Sequence, residues 1–376
     1  MPALFVERLV LTDFRCYRRL ALAVDPRPVT LTGPNGAGKT NVLEGLSFLA
    51  PGRGLRRARL EDVARQGGPG GWGVAATVRT PAGAVEIGTA FRADGAGRRL
   101  VKLDGNAVSG PAVLAETLHV SWLTPAMDRL FIDGTAGRRR FLDRLVAGFD
   151  NGHTARLAAY EHALRERSRL LREGGGDPAW LAALERTMSE EGVAVAASRR
   201  SVTARLNAAL AIGVGSFPQA DLAVRGEVEA WLDDAPALAT EERFRARLAA
   251  ERDRDAAVGG ASCGPHRSDL AVRHVGKGAA AALCSTGEQK ALLIAIVLAE
   301  ARLHAAQRGR PPVLLLDEVA AHLDPERRAA LYEEILGLGV QAWLTGTEPS
   351  LFAPLGEWAQ HFRIVDGRLA GAGGAE

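Results

Sequence analysis

Eight residues near the N-terminus have the types and spacing of a phosphate-binding loop. The segment Gly33-Pro34-Asn35-Gly36-Ala37-Gly38-Lys39-Thr40 fits the pattern G-x-x-x-x-G-K-[ST]. In such a loop the glycines let main-chain N–H groups turn inward around an anion, the lysine reaches the β and γ phosphates, and the threonine hydroxyl binds Mg²⁺. A predicted strand at 29–32 precedes the loop and a predicted helix follows it. The pattern therefore predicts a site for a nucleoside triphosphate and Mg²⁺.

A second segment supplies the acids that such a site needs. The apolar run Val313–Leu316 ends in Asp317 and Glu318. A buried strand would carry Asp317 to the Mg²⁺, and Glu318 can polarise an attacking water. By itself, a strand that enters an acidic loop explains this run equally well. Together with the phosphate loop, it predicts hydrolysis with Lys39, Asp317 and Glu318 as the catalytic residues.

The segment Ser285-Thr286-Gly287-Glu288-Gln289-Lys290 opens a long predicted helix. A serine at the N-cap, a glycine for close backbone approach and the positive end of the helix dipole make a second phosphate-binding surface. The alternative is an ordinary capped helix. The spacing alone does not choose between the two.

Composition places the chain among ordinary globular proteins. Of its 376 residues, 47% are hydrophobic and 24% charged, which argues against disordered, collagen-like and coiled-coil classes. The apolar run Ala291–Ala299 is far shorter than the ~20 residues that span a bilayer. Glu7, Arg8 and Asp13 interrupt the N-terminal stretch where the apolar core of a signal peptide would lie, so we expect a cytoplasmic protein. Three widely spaced cysteines fit neither a disulfide framework nor a zinc site. The net charge of +3 allows an acidic partner without requiring one.

The periodicity of apolar residues divides the chain into three parts. It predicts three short strands before the phosphate loop and a small antiparallel sheet over 71–108. From about 136 to 255 the pattern is helical, with interruptions too frequent for a long coiled coil. Strands and helices alternate again after 268, which predicts one α/β domain with a parallel sheet, split by a helical insert. The predicted domains are 1–135, the N-terminal part of the split domain, 136–262, the helical arm, and 263–376, the C-terminal part.

Six segments occur in an order that is specific to one family. They are Leu11–Arg15, Gly33–Glu44, Gly52–Arg56, Arg138–Asp143, Gly264–Leu270 and Ser285–Leu292. Together with the acid pair and Leu323-Asp324, they resemble the SMC-like branch of the ABC-type ATPases and, within it, the RecF family. The resemblance covers essentially the whole chain. The separation of 277 residues between Thr40 and Asp317 argues against the continuous nucleotide-binding domain of a transporter.

The resemblance implies a fold and a set of roles. The fold is a P-loop ABC-type ATPase head split in sequence, with a small antiparallel β subdomain and an inserted helical arm. The implied cofactors are ATP and Mg²⁺, with the metal ion bound by Thr40 and Asp317. The implied assembly is a homodimer in which each signature motif completes the partner's site. The residues expected to bind ATP are Arg15, Gly33, Pro34, Asn35, Gly36, Ala37, Gly38, Lys39, Thr40 and Asn41, and the signature residues acting in trans are Ser285, Thr286, Gly287, Glu288 and Gln289.

The chain also departs from the family pattern. Cys284 stands where leucine is usual, Ser268 where an acid is common, and Ala126 where glutamate is frequent. Asp324 lies at the place of the D-loop, but the switch histidine is replaced by a strand end that carries Thr345 and Thr347. A threonine hydroxyl can orient water but is a poor general base, so slow hydrolysis is expected.

Two arginine clusters are candidates for DNA contact. Guanidinium groups neutralise phosphates in a salt-sensitive and sequence-independent way. The alternative is a solvated face that pairs with nearby acids. Aromatic residues make up only 5% and do not interleave with the arginines, which favours duplex backbone over a base-stacking platform. The expected DNA-binding residues are Arg53, Arg56, Arg57, Arg138, Arg139 and Arg140.

These features predict an ATP-dependent, DNA-binding protein with weak DNA-dependent ATPase activity, in which hydrolysis reopens a closed dimer. The resemblance further implies action near single-strand gaps, RecA loading with RecO and RecR, and roles in DNA repair, replication and the SOS response. Two alternatives stay open: an ABC-type transport or translocation subunit, and a static DNA-binding protein with a relic nucleotide site. ATP turnover and ATP-dependent retention on DNA distinguish these functions.

Overall fold

Fifteen strands and ten α-helices lie in the part of the chain that the computed structural model describes, residues 4–94, 97–174 and 177–370. The strands are β1 Phe5–Phe14, β2 Tyr17–Ala23, β3 Val29–Thr32, β4 Trp72–Thr80, β5 Gly83–Phe91, β6 Arg99–Leu103, β7 Asn106–Ala107, β8 Val120–Leu123, β9 Ala220–Arg225, β10 Asp269–His274, β11 Ala279–Ala280, β12 Val313–Leu316, β13 Ala342–Gly346, β14 Gln360–Val365 and β15 Arg368–Ala370. The helices are α1 Lys39–Ser47, α2 Leu114–Thr117, α3 Thr135–Ala147, α4 His153–Arg172, α5 Pro178–Ala211, α6 Glu227–Asp234, α7 Ala237–Ala250, α8 Arg252–Val258, α9 Thr286–Arg308 and α10 Pro325–Leu338.

The chain forms two compact units, and neither is continuous in sequence. The first contains the described residues up to Asp128, Ile212–Gln219 and those from Ser285 onward, and the second contains Arg129–Ala211 and Ala220–Cys284. The helical arm was predicted to end at 262, but β10 pairs with β9, so the residues up to 284 lie with the helices.

The first unit contains two six-stranded sheets. One is antiparallel, in the order β2-β1-β4-β5-β6-β7, and the other has the order β15-β14-β3-β13-β12-β8. In the second sheet only the β14–β15 pair is antiparallel. The three strands expected before the phosphate loop are present, but β1 and β2 belong to the antiparallel sheet because both pair along their length there. The parallel sheet instead takes in β8, which the periodicity did not identify.

One hydrophobic core joins α1 to strands of both sheets. The helix buries Val42, Leu43 and Leu46 on one stripe, as its spacing predicts. A Cβ atom at position 45 would lie only 2.5 Å from a methyl carbon of Leu11 on β1, so Gly45 permits this close approach. The core therefore holds the helix that follows the phosphate loop rigidly in place.

The second unit packs its helices around aromatic residues and a small sheet, β11-β10-β9. Gly192 on α5 faces Tyr160 and Phe244, and a Cβ atom there would come within 3.0 Å of both rings. The fully buried Arg167 donates to Glu185 and Asp255, which neutralises its charge inside the helices. At 34 residues α5 is about 50 Å long, and it pairs with α4 rather than extending into a coiled coil.

Candidate functional site

The phosphate loop runs from the end of β3 to the first turn of α1. Gly38 occupies the N-cap with φ +111°, and a Cβ atom there would lie 2.6 Å from the Tyr17 hydroxyl oxygen. The Lys39 ammonium donates to the carbonyl oxygens of Gly33 (2.7 Å) and Pro34 (2.9 Å), inside the loop. Burial lowers the pKa of Lys39, while the charges of Glu318 and Asp317 act in the opposite direction. This is a cationic, glycine-lined cradle of the kind that holds phosphates.

Contacts from distant parts of the sequence hold the loop in shape. The buried Tyr17 hydroxyl donates to the Gly38 carbonyl oxygen at 3.0 Å, and the Gly367 N–H donates to the Ala37 carbonyl oxygen at 3.1 Å. Gly33 lies against the backbone of Ile364, whose carbonyl oxygen would be 2.0 Å from a Cβ atom. Sequence reasoning missed Tyr17, because no local pattern indicates that this aromatic residue forms a hydrogen bond with the phosphate loop.

Asp317 and Thr40 meet at the carboxyl edge of the parallel sheet. The Thr40 hydroxyl donates to Asp317 Oδ1 at 2.8 Å. Burial raises the pKa of Asp317, and hydrogen bonds from the hydroxyls of Thr345 and Thr40 act to lower it. Within the described residues no group of three or more His, Cys, Asp or Glu side chains could hold a metal ion. One carboxylate and one hydroxyl instead suit Mg²⁺, which usually takes its remaining ligands from water and phosphate.

Glu318 follows Asp317 with an unusual backbone. Its φ of +54° lies in the left-handed region, and its N–H donates to Thr345 Oγ1 at 2.8 Å. Thr345 is fully buried and also donates to Asp317 Oδ1 at 2.8 Å. The only proton of the Thr345 hydroxyl is therefore directed to Asp317, and the expectation that this hydroxyl orients water stays a prediction. Thr347, two residues on, is exposed.

A buried acid on α1 organises the arginines near the loop. Glu44 has no exposed surface and accepts from the guanidinium groups of both Arg15 (2.7 and 2.8 Å) and Arg56 (3.0 Å). Arg15 further donates to the Asp62 carbonyl oxygen, and Arg56 donates to the side-chain oxygen of Asn41. Sequence reasoning named Arg15, Arg56 and Asn41 but not Glu44. The available signal was an acid one turn after Thr40 on a largely apolar helix.

The signature segment forms the exposed N-terminus of α9. Ser285 and Glu288 form a capping box, in which each side chain accepts from the other's main-chain N–H. Ser285, Thr286 and Gly287 are exposed, whereas Gln289 is buried. Asp324 caps α10 by accepting from the Arg327 N–H at 2.8 Å, and the Arg327 side chain donates to the Gly287 carbonyl oxygen at 3.3 Å. The N-terminus of a 23-residue helix is thus held open to solvent.

Lys290 links the signature helix to the turn that follows β8. Its side chain is 9% exposed, and its ammonium lies 3.5 Å from Asp128 Oδ2. Burial lowers the pKa of Lys290, and the charges of Asp128 and Glu318 oppose that shift. Ala126, one of the departures from the family pattern, lies in the same turn.

The two arginine clusters differ in how far they are available to a ligand. In the first, Arg53, Arg56 and Arg57 are all exposed, and Arg56 forms an ion pair with Glu44. In the second, Arg138 forms a two-bond pair with Asp269 and is 14% exposed, so its charge is already neutralised in this structure; its contact with DNA stays a prediction.

Within that second cluster, Arg139 donates to Thr135 and to the Ser268 carbonyl oxygen. Burial lowers the pKa of Arg139. Arg140 is exposed on the same helix.

Two of the departures are accommodated by the structure. The buried Ser268 donates to both carboxylate oxygens of Glu229 on α6, at 2.7 and 2.8 Å, so the acid in this place comes from another element. Cys284 is buried, and its thiol lies 3.6 Å from the Ala280 carbonyl oxygen.

Comparison with known sequences gives one consistent family. The family model described as RecF/RecN/SMC N terminal domain matches residues 5–347. A curated DNA replication and repair protein RecF of Rhizobium meliloti (strain 1021) is 50% identical over 374 residues, covering 98% of this chain and 99% of the relative. The protein of the same name from Mesorhizobium japonicum is also 50% identical over 374 residues and covers 98% of each chain.

Solved structures share the fold at lower identity. A structure of the recombination mediator protein RecF-ATPrS in the RecFOR pathway has a TM-score of 0.85 at 21% identity and covers 98% of both chains. The Smc head domain of Pyrococcus furiosus, bound to the C-terminal domain of ScpA, has a TM-score of 0.54 at 16% identity, covering 97% of this chain and 95% of that one. At these identities the likeness establishes the fold alone.

Proposed function

Because the chain belongs to the RecF family of SMC-like ABC-type ATPases, we propose that it binds ATP with Mg²⁺ at the phosphate loop and hydrolyses it as part of DNA replication and repair. The observation that carries this proposal is the hydrogen bond between Thr40 and Asp317, which are 277 residues apart. The fold brings the loop and the acid pair to one place, as nucleotide chemistry requires.

The proposed roles follow from charge and position. Main-chain N–H groups of 35–40 and the Lys39 ammonium stabilise negative charge on the β and γ phosphates. Glu318 orients and deprotonates the attacking water. Mg²⁺, held by Thr40 and Asp317, supplies further neutralisation of phosphate charge when bound. Arg15 and Arg56, oriented by Glu44, add positive charge beside the same loop.

The signature segment caps its own helix and still leaves Ser285, Thr286 and Gly287 exposed to solvent. The exposed first turn of its helix presents the positive end of the helix dipole, which suits a phosphate. We therefore propose that Ser285, Thr286, Gly287, Glu288 and Gln289 complete the nucleotide site of a second copy. Two ATP molecules would then lie between two heads, with Asp324 at the same interface, and hydrolysis would release the dimer.

The DNA-binding role is proposed from exposed positive charge and from the names of the relatives. Arg53, Arg56 and Arg57 in one unit and Arg140 in the other are the exposed members of the predicted set, and Arg56 is also paired with Glu44. Backbone contact through these side chains would bind duplex DNA, including duplex beside a gap, with strong salt dependence. In line with the family, we propose assistance to RecA loading with RecO and RecR in the cytoplasm, a role in the SOS response, and slow ATP hydrolysis that DNA stimulates.

The test uses the Glu318→Gln variant and its molecular mass in solution. The substitution keeps the size and hydrogen-bonding capacity of the side chain but removes the base, so ATP binding should persist and turnover should fall by about 100-fold or more. We expect a dimer with ATP and Mg²⁺, retention of a short duplex by that dimer, and a monomer without nucleotide. Glu333→Gln, an exposed acid on α10, is the matched control and should behave as the wild type.

The outcomes separate the three functions considered. A monomer under all conditions contradicts the dimer mechanism. Dimerisation and turnover without any DNA retention would favour a translocation subunit. Binding to DNA that is indifferent to ATP, with no turnover by the wild type, would identify a static DNA-binding protein. Lys39→Ala should abolish nucleotide binding, which confirms that any ATP effect arises at the phosphate loop.

A further inference from the structure

Thr345 lies beside the two acids because of strand register. In the parallel sheet, Leu344 on β13 pairs with Leu316 on β12. Thr345 follows Leu344 on β13, and Asp317 follows Leu316 at the end of β12. Both side chains therefore lie at the carboxyl edge of the sheet. Thr345 has no exposed surface.

The Thr345 hydroxyl donates one hydrogen bond and accepts another, each to one of the two acids. A threonine hydroxyl has one proton to donate and can accept two hydrogen bonds. Its proton goes to Asp317 Oδ1 at 2.8 Å, and its oxygen accepts the Glu318 N–H at 2.8 Å. Asp317 Oδ1 also accepts from Thr40 at 2.8 Å. One side chain therefore connects both acids and, through Asp317, the phosphate loop.

The backbone of Glu318 needs such support. Its φ of +54° is unfavourable for a residue with a Cβ atom, and such conformations persist when the surroundings enforce them. The Thr345 oxygen takes the N–H of this same residue. Without that acceptor, a partly buried N–H would lose its partner and the backbone could relax to an ordinary conformation.

We infer that Thr345 is a positioning residue for hydrolysis, which holds the Glu318 backbone and the Asp317 carboxylate in their working arrangement and does not itself act on water. This inference rests on the proposed ATPase function. It assigns Thr345 an effect on turnover that is larger than its effect on nucleotide binding, because the phosphate loop and Lys39 make no direct bond to it.

The test compares Thr345→Val with Thr345→Ser. Valine keeps the shape but removes both hydrogen bonds, whereas serine keeps the hydroxyl. We expect kcat for ATP to fall about 10- to 100-fold in Thr345→Val, the range for loss of hydrogen bonds to a charged group, and to stay within about threefold of wild type in Thr345→Ser. Affinity for a fluorescent ATP analogue, measured in EDTA without turnover, should change by less than about threefold in both variants.

Thr30→Val is the matched control. Thr30 is also fully buried on a strand of the same sheet, but its hydroxyl contacts His361 and the Gln360 carbonyl oxygen, away from the acids. It should lose thermal stability comparably to Thr345→Val while keeping the wild-type kcat. If Thr345→Val does not fold, Thr345→Ala against Thr345→Ser isolates the hydroxyl in the same way.

The kcat and affinity values of these variants test the positioning role of Thr345 directly. Equal turnover in Thr345→Val and Thr30→Val, or equal loss in the serine and alanine variants, overturns the positioning role. A parallel loss of nucleotide affinity and kcat also overturns it, since that pattern indicates general damage to the site. Absence of ATP turnover in the wild type would instead contradict the proposed function itself.

Discussion

At the scale of single residues, hydroxyl groups orient carboxylates at several buried places. Thr40 and Thr345 donate to Asp317, and Ser268 donates to both oxygens of Glu229. A hydroxyl stabilises a buried negative charge without bringing a second charge that must itself be neutralised. This explains how the buried Ser268 is accommodated beside Glu229.

We expect Ser268→Asp to destabilise the protein by about 3–5 kcal/mol, because it places a second buried carboxylate against Glu229. Ser268→Ala should cost only about 1.5–3 kcal/mol, the value of a hydrogen bond to a charged group. Urea unfolding measures both. In the aspartate variant, repulsion raises the pKa of one carboxyl in the folded state, so the deficit should grow as pH rises from 5 to 8. A deficit independent of pH would contradict carboxylate repulsion.

The partly buried His266 makes the free energy of unfolding fall as pH falls, whereas the aspartate at 268 makes it fall as pH rises. Tyr160 donates to its Nδ1 (2.6 Å), Nε2 donates to the Ala261 carbonyl oxygen (3.0 Å), and burial lowers its pKa to about 4. Below pH 6.5 this histidine binds a proton in the unfolded chain but stays neutral in the folded chain. The stability present above pH 6.5 is therefore lost as pH falls to 4. The loss is on the order of 3 kcal/mol. His266→Gln should remove this slope from urea unfolding curves measured across that range, and an unchanged slope would assign it to other groups.

At the scale of elements, α3 has one arginine that holds the fold and one that is free for a ligand. Arg138 donates to Asp269 on β10 and to main-chain carbonyl oxygens of 130, 131 and 133, which ties the helix to the sheet and to the preceding turn. Arg140, half a turn further on, is exposed.

We expect Arg138→Ala to lower the free energy of unfolding by about 1–3 kcal/mol, because Asp269 would lose its charged partner. Arg140→Ala should change stability by less than about 0.5 kcal/mol but weaken duplex binding and reduce the slope of log affinity against log salt by about 1. Urea unfolding and fluorescence anisotropy with labelled duplex separate the two effects. Wild-type DNA affinity in Arg140→Ala would remove α3 from the proposed DNA surface.

The signature helix shows how local chemistry sets an element. The capping box of Ser285 and Glu288 begins α9 at the residue that the spacing predicted, and the apolar run that follows is buried. The acid-bearing strand β12 is also buried throughout, as its four apolar residues predicted.

At the scale of the whole molecule, the predicted family and the SMC-like ABC ATPase fold are confirmed by the family match and the solved structures. Among the described residues, no helix is both long and apolar enough to cross a membrane. The nucleotide elements all lie in the first unit, which is assembled from three separate stretches of chain.

We expect a non-hydrolysable ATP analogue with Mg²⁺ to slow amide exchange at 33–41 and 313–318 by up to about 100-fold at 100 times Kd, because a ligand stabilises the unit that binds it. At concentrations where the protein is monomeric, exchange in 153–172 and 178–211 should not change. Hydrogen exchange with mass spectrometry measures this, with Lys39→Ala as the control. Protection confined to the second unit would place the nucleotide elsewhere.

The sequence by itself determined the parts whose chemistry is contiguous. The phosphate loop with its helix, the acid pair at a strand end and the capped signature helix each depend on a few neighbouring residues. Local backbone geometry and hydrogen bonding specify such segments, so their spacing was sufficient to predict them.

Tertiary structure decided everything that depends on a partner far along the chain. It assigned β1 and β2 to the antiparallel sheet, paired Arg138 with Asp269 across 131 residues, and joined Thr40 to Asp317 across 277. It also buried Thr345 between two acids, where a sequence pattern suggested contact with water. Burial and charge pairing act through space, so no local pattern records whether an arginine or a hydroxyl is free or already engaged.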